Sequence, residues 1–266
     1  MRTLLRYVPA ASVMLALLAL VVFAGCTATK RRVLGRQVEI TNVASVVPER
    51  GPVGDKTPKI APLFGVIVEN ARGSVTLLTD PMIEVPEVRA KVSGLDDRAS
   101  RRSGTVPTWV AASIERYDNI NTLQVLAVDP TDEQRSVDLR IVVPATAFVS
   151  VTNSHGNVEI RGVSGNLQVN NGLTDGMGGR VDVRTDKAIK DGAMVRVRGG
   201  DVYLAFGKGS AGPIDARAKA VHVRADGLVV KDVTADRTSY EGVLGSLGKP
   251  MLLRVPDGKL TLFIEE

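Results

Sequence analysis

Between residues 151 and 266 apolar and polar positions alternate in short runs, and a glycine opens most of them. Ser154-His155-Gly156-Asn157-Val158-Glu159-Ile160 is one run, and Val163-Ser164-Gly165-Asn166-Leu167-Gln168-Val169 is another. Gly179-Arg180-Val181-Asp182-Val183, Gly200-Asp201-Val202-Tyr203-Leu204 and Asp257-Gly258-Lys259-Leu260-Thr261-Leu262 repeat the phrase. A period of two predicts a strand with one buried face, and the glycine with its polar neighbour predicts the turn before it. In this phrase the glycines serve corners and the Val, Leu and Ile serve a core.

The same alternation extends upstream. Phe64–Asn70, Ser74–Leu78, Val85–Val92, Asn121–Val128 and Arg135–Val143 read as strands, with Gly73-Ser74-Val75-Thr76-Leu77 as an earlier copy of the phrase. Trp109–Tyr117 fits neither period cleanly and is read as a short helix or, alternatively, as a strand. Residues 93–108 are polar and read as a loop. Arg36–Val43 alternates and could add a strand. Pro48, Pro52, Pro58 and Pro62 mark the stretch before Leu63 as an extended linker.

No strong amphipathic helix separates these strands, so a doubly wound α/β plan, which needs helical crossovers, is excluded. The fold class is all-β. A single-stranded β-solenoid, a β-helix-like stack of short parallel strands, satisfies the pattern, and an antiparallel β-sandwich is the alternative. Aromatic residues make up only 4% of the chain. A narrow interior filled by stacked aliphatic side chains suits that composition and favours the solenoid.

The N-terminus follows a different pattern. Arg2 and Arg6 precede an apolar run from Val13 to Phe23, and Ala24-Gly25-Cys26 follows. This is the layout of a secretory signal, with a retained single-pass anchor as the alternative. Phe23-Ala24-Gly25-Cys26 resembles the bacterial lipobox, although Phe23 stands where Leu or Val is usual. The resemblance implies lipidation of Cys26, the only cysteine in the chain, and so a fold without disulfides. The expected organisation is a lipoprotein signal peptide over residues 1–25, a tether over 26–62 and a β-solenoid domain over 63–266. Loss of Arg2 and Arg6 with the signal lowers the formal charge from +5 to about +3. That balance argues against a nucleic-acid partner. Lys30, Arg31, Arg32 and Arg36 either hold the tether near anionic lipid or are ordinary solvated charges.

From Leu63 onward the chain resembles the bacterial putative-adhesin β-solenoid family. Val66–Val75 resembles that family's opening strand, glycine and strand, and Val137–Pro144 its strand-then-proline entry to the repeats. Val151–Ile160 followed by Val163–Leu167 resembles the repeats themselves. The resemblance implies an adhesion or interaction module of the cell envelope and supplies no catalytic residue.

Candidate chemistry is sparse. His155 falls at a turn and His222 on an outward face, neither with metal-ligand spacing to other donors. Ser154 beside His155 has no orienting acid. Gly207-Lys208-Gly209-Ser210-Ala211-Gly212 matches G-x-G-x-x-G, but a dinucleotide site needs a helix after it, and Pro213 and a β-like segment follow. Asp175, Asp182 and Asp186 lie near a glycine cluster without the calcium-binding nonapeptide. Asp96 and Asp97 sit in an Arg-rich loop. Trp109 and Tyr117 either form a recognition patch or cap one end of the stack. No catalytic, cofactor-binding or metal residue is assigned.

The expectation is a non-catalytic β-repeat protein held to the bacterial envelope through Cys26, at the outer membrane if the cell is Gram-negative, since Thr27 follows the cysteine. Its partner would be a protein or an envelope polysaccharide. The alternatives are an enzyme acting on envelope polysaccharide, betrayed by acids converging on stacked strands, and an accessory or sensor lipoprotein of a membrane complex. Function is expected on the outward face or in the non-repeating stretch from Ser93 to Asn119.

Overall fold

The computed structural model describes residues 33–34, 37–40, 63–93, 110–117, 120–128, 136–173 and 178–265. The signal segment, Cys26, the basic residues from Lys30 to Arg36, Asp96, Asp97, Trp109, Asp175 and the side chain of Tyr117 lie outside that description. Among the described residues every regular element is a strand. In chain order these are β1 (Val33–Leu34), β2 (Gln37–Ile40), β3 (Leu63–Arg72), β4 (Val75–Thr79), β5 (Glu87–Ser93) and β6 (Val110–Tyr117). Then come β7 (Ile120–Ala127), β8 (Ser136–Val143), β9 (Ala145–Arg161), β10 (Asn166–Asn171), β11 (Gly178–Arg184) and β12 (Ala193–Val197). The last five are β13 (Val202–Phe206), β14 (Gly212–Arg224), β15 (Leu228–Val233), β16 (Ser239–Leu244) and β17 (Met251–Ile264). The all-β expectation holds.

Most of these strands belong to two parallel ladders. The first runs β7, β3, the first half of β9, β10, β12, the first half of β17 and the first half of β14. The second runs β8, β4, the second half of β9, β11, β13, the second half of β17 and the second half of β14. Each tier is therefore one strand of the first ladder, a corner, and one strand of the second. The pairing within both ladders is parallel, so hairpins joining two antiparallel sheets do not describe the centre of this molecule. Antiparallel pairs occur at its two ends: β6 on β7, β5 on β8 and β2 on β5 at one, and β16 on β14 and β15 on β16 at the other.

Register lines up the core. Leu123, Val66, Val149, Leu167, Ala193, Met251 and Ile214 form one inward column on the first ladder, and Val125, Val68, Val151, Val169, Val195, Leu253 and Ala216 form the next. On the second ladder Leu139, Val75, Val158, Val181, Val202, Leu260 and Val221 do the same. All of these are buried. Stacked aliphatic side chains of similar size fill most of this interior, with Phe64, Phe206 and Tyr240 as its buried aromatics, which accounts for the low aromatic content.

Corners are built from glycine for a steric reason. Gly73, Gly156, Gly179, Gly200 and Gly258 stand above one another, and a Cβ on any of the last four would press on the backbone of the glycine one tier before it. The polar residue after the glycine has a role too. Asn157 Oδ1 accepts the Arg180 N–H at 2.9 Å and Asp201 Oδ1 accepts the Lys259 N–H at 2.8 Å, each reaching one tier onward. The phrase read in the sequence thus encodes the corner itself.

Beside these corners runs a buried asparagine column. Asn70, Asn153 and Asn171 occupy one register position, flanked by Ala127 on one side and Val197 on the other. Asn70 donates to Asn153 Oδ1 at 3.0 Å, and Asn153 donates to Asn171 Oδ1 at 3.1 Å. Asn171 donates in turn to the carbonyls of Gly156 and Gly179. Side-chain amides here satisfy carbonyls that the corners turn inward, and a buried carbonyl without a partner is costly.

Chain order and spatial order differ at both ends. Of the tier strands β3 and β4 come first in the chain, yet they lie between the β7/β8 tier and β9. The C-terminal β17 lies between β12/β13 and β14. Residues 110–117 form a strand, not a helix. Val110 is buried and Ala112 and Ile114 are half-buried on one side, while Ala111, Ser113 and Glu115 are exposed, so tertiary pairing with β7 imposes the period of two.

Candidate functional site

Outward positions of the second ladder also line up in register. One column reads Arg140, Thr76, Glu159, Asp182, Tyr203, Thr261 and His222. The neighbouring column reads Val142, Leu78, Arg161, Arg184, Ala205, Phe263 and Arg224. The middle of this face is ionic and the β14 end is aromatic and basic.

In the middle, Glu159 and Asp182 occupy adjacent tiers, the arrangement that a glycan-cleaving acid pair would need. They are not free to act as one. Arg161 Nη1 donates to Asp182 at 2.7 Å and its Nη2 lies 2.9 Å from Glu159. Arg180 and Arg184 reach Asp182 as well, at 2.9 and 3.0 Å. Partial burial opposes ionisation of Asp182, but hydrogen bonds from Arg161 and Arg184 outweigh it and hold its carboxyl below the usual range. A general acid needs the opposite shift, upward toward neutrality.

Toward β14 a groove of about 560 Å³ opens on the face. Tyr203, Thr261, Phe263, His222 and Arg224 form its floor, and the β15–β16 ribbon with its connecting loop supplies Val233, Arg237, Ser239 and Tyr240 as a wall. Its lining holds two guanidinium groups and an imidazole and no carboxylate. The Arg224 guanidinium carbon lies 5.8 Å from the Phe263 ring centre, and that of Arg184 lies 4.8 Å from the Tyr203 ring centre. These are cation–π distances, and they present flat guanidinium and ring surfaces together. A second, smaller hollow adjoins the first across Tyr203 and Phe263, lined also by Arg184, Asp186 and Glu265.

Arg237 is held unusually. It is the only described residue other than glycine with a positive φ, at 56°. Its N–H donates to the Thr234 carbonyl at 2.9 Å, and its own carbonyl accepts from the Val221 N–H at 2.8 Å. Thr234 Oγ1 accepts the N–H groups of Thr238 and Ser239, and Asp236 accepts from Thr238 twice. Hydrogen bonding of its carboxylate by the Thr234 hydroxyl and by Thr238 lowers the Asp236 pKa. The loop is therefore tied to β14, and Arg237 is fixed over the groove at a backbone cost of roughly 1 kcal/mol.

The residues singled out by sequence fall in different places. His222 is on the outward face as expected and belongs to the groove. His155 stands at the glycine corner, its Nδ1 3.3 Å from the Ala71 carbonyl. Gly207–Gly212 turns the chain from β13 into β14 with no helix after it, and Ser210 bridges the turn by accepting from Ile189 N and donating to the Gly207 carbonyl. Asp182 belongs to the arginine cluster and Asp186 pairs with Lys187. Among the described residues no group of three His, Cys, Asp or Glu side chains could hold a metal ion. Tyr203, Phe263, Arg224 and Arg237 were not distinguished in the sequence. Tyr203, Phe263 and Arg224 have one signal, aromatics and an arginine at outward positions of alternating runs, and Arg237, in a turn, has none.

No protein-family model matches the chain, and no curated protein does. Among solved structures it is similar to a "putative cell adhesion protein" from Clostridium sporogenes ATCC 15579, with a TM-score of 0.48, 11% identity and coverage of 77% of this chain and 94% of that one. It is also similar to a "putative adhesin" from Bacteroides fragilis NCTC 9343, with a TM-score of 0.32, 12% identity and coverage of 76% and 93%. What the groove can bind is set by its own side chains.

Proposed function

We propose that this chain is an exported cell-envelope lipoprotein, anchored through Cys26, whose tiers constitute a β-solenoid serving as a non-catalytic recognition module. The groove over β13, β17 and β14 is its binding surface. The observation that carries this reading is the composition of that groove: ring faces, guanidinium groups and hydroxyls gathered from four separate strands, with no acid among them. Rigid parallel ladders hold such side chains at fixed spacing, as recognition requires.

The competing reading is an enzyme acting on envelope polysaccharide. It depends on Glu159 and Asp182, and Arg161 spans both. Membrane fractionation of wild type and Cys26→Ser tests the anchor; an unchanged membrane association of the variant would refute it. Sedimentation with purified envelope polysaccharide tests the binding surface. Wild type should bind, and a Tyr203→Ala/Phe263→Ala double variant should lose binding at least tenfold. Equal binding by both would refute the assignment of the groove. If crosslinking in cells captures protein partners at the same groove and no polysaccharide binds, the accessory-lipoprotein reading replaces it.

A further inference from the structure

The groove's charge and shape say more about its ligand. We infer that it takes an acidic polysaccharide, with an anionic group of the polymer at Arg224 and Arg237 and sugar rings on the faces of Phe263 and Tyr203. This rests on the recognition-module reading above and names its partner.

Consider the charges first. Neither Arg224 nor Arg237 makes an ion pair with any described residue, in contrast to Arg161, Arg180 and Arg184 in the same face. Two guanidinium groups lining one hollow repel each other, and Asp236, the acid nearest to Arg237 in sequence, is committed to Thr238. An anion entering the groove would relieve that repulsion. Arginine suits it, because its planar fork matches carboxylate and phosphate oxygens two at a time.

The backbone of Arg237 is the second observation. A non-glycine residue in the left-handed region persists only where its surroundings over-determine it, and such residues gather at ligand clamps. Glycine would occupy this turn with less strain. An arginine there, tied down by Thr234, Thr238 and Val221, is placed for its side chain.

The ligand class follows from where the groove lies. It is on the face of a parallel sheet, and β13 and the second half of β17 have neighbours on both sides. Their backbone groups are spent in the ladder, and on the outer side of β14 the Val221 N–H is taken by the Arg237 carbonyl, so a peptide cannot add a strand to β13 or β17. Recognition must come from stacking, hydroxyls and charge. Sugar rings offer apolar faces for Phe263 and Tyr203 and hydroxyls for Thr261 and Ser239. The hollow continues past Tyr203, where Arg184 lies beside two acids, Asp186 and Glu265, so the anionic group belongs at the Arg224–Arg237 end.

The test is binding to defined polymers at fixed salt: polygalacturonate as the acidic polysaccharide, dextran as a neutral one, and inorganic polyphosphate as charge without rings. Arg237→Gly is the main variant, because glycine keeps the turn, and Arg224→Gln is the second. Arg196→Gln, the same loss of charge on the exposed outward side of β12, is the control. Polygalacturonate should bind and should weaken with rising salt. Each groove variant should lose at least tenfold in affinity while the control stays within twofold. Dextran and polyphosphate should each bind at least tenfold more weakly. Dextran binding as tightly as polygalacturonate, with the arginine variants unaffected, would overturn the acidic assignment and leave the recognition reading standing. Polyphosphate binding as tightly would replace it with a plain polyanion surface. If polygalacturonate does not bind at all, the inference fails, and the envelope sedimentation above then decides whether the broader reading fails with it.

Discussion

Replacing Gly200 by alanine isolates the steric rule of the corners. The backbone of Gly200 is not in the left-handed region, so alanine meets no conformational penalty of its own there. A Cβ would nevertheless stand 2.5 Å from the carbonyl carbon of Gly179 and 3.1 Å from Arg180 N, and nearer still to the Gly179 oxygen. Comfortable contact between carbons begins near about 3.5 Å, so the two tiers must part by about 1 Å. The bond from Val181 N to the Asp201 carbonyl, 2.9 Å long, spans the same gap and would stretch beyond hydrogen-bond range. Overpacking together with one lost bond costs about 2–4 kcal/mol. In a body of this size that lowers the melting temperature by roughly 5–15 °C. Gly227 supplies the contrast: its φ is +68°, yet nothing lies within 4 Å of an added Cβ. Gly227→Ala should cost about 1 kcal/mol, all of it conformational. Calorimetric melting of the two variants and the wild type decides. A Gly200→Ala protein melting within 2 °C of wild type, or above Gly227→Ala, would show that the glycine column is not a packing requirement.

Three further outcomes follow from the same structure. Asn153→Val, which copies the Val197 side chain at that register position, should destabilise by about 1–3 kcal/mol in urea titrations, because Asn171 Oδ1 loses its donor and the Asn70 amide loses the Asn153 acceptor, while the His155 and Gly156 carbonyls keep Gly73 N–H and the Asn171 amide; an effect under 0.5 kcal/mol would refute the asparagine column as a stabilising network. Truncation after Pro250 removes β17 and so strips β12, β13 and β14 of shared pairing, and limited proteolysis should then cut throughout 193–244 while 63–93 and 136–171 stay protected; uniform resistance would contradict the inserted position of β17. The folded pKa of Asp182 is depressed, so its contribution to stability is present at neutral pH and is lost as pH falls below about 4 toward the folded value; Asp182→Asn should flatten that acid limb of the stability–pH curve, and an unchanged limb would mean the arginine cluster does not control it.

Much of the fold was written in local pattern. Val158-Glu159-Ile160 and Val202-Tyr203-Leu204 alternate because one side of each strand is core, and Gly156 and Gly200 announce the corners between them. Partner choice was not legible. Val, Leu and Ile at inward positions are interchangeable across tiers, so nothing local says that Leu260 lies between Val202 and Val221, with β17 inserted ahead of β14. Residues 228–244 leave the tiers altogether: β16 pairs antiparallel on β14, and β15 on β16. Val110–Tyr117 was ambiguous because its small residues, Ala111, Ala112 and Ser113, suit either period, and pairing with β7 decided it. The groove was the least visible part. Tyr203, Phe263 and Arg224 come from three strands and become neighbours only through the register, while Arg237 sits in a turn whose left-handed backbone carries no mark in an arginine codeword.

The most direct measurement of the central claim is a hydrogen-exchange footprint of the full chain with and without purified envelope polysaccharide. Protection should rise in 201–206, 220–224, 233–240 and 260–264, around Tyr203, His222, Arg224, Arg237 and Phe263, and should not rise in 166–171 or 193–197. Protection confined to the first ladder, or to segments away from those four stretches, would contradict the assignment of the groove as the binding surface.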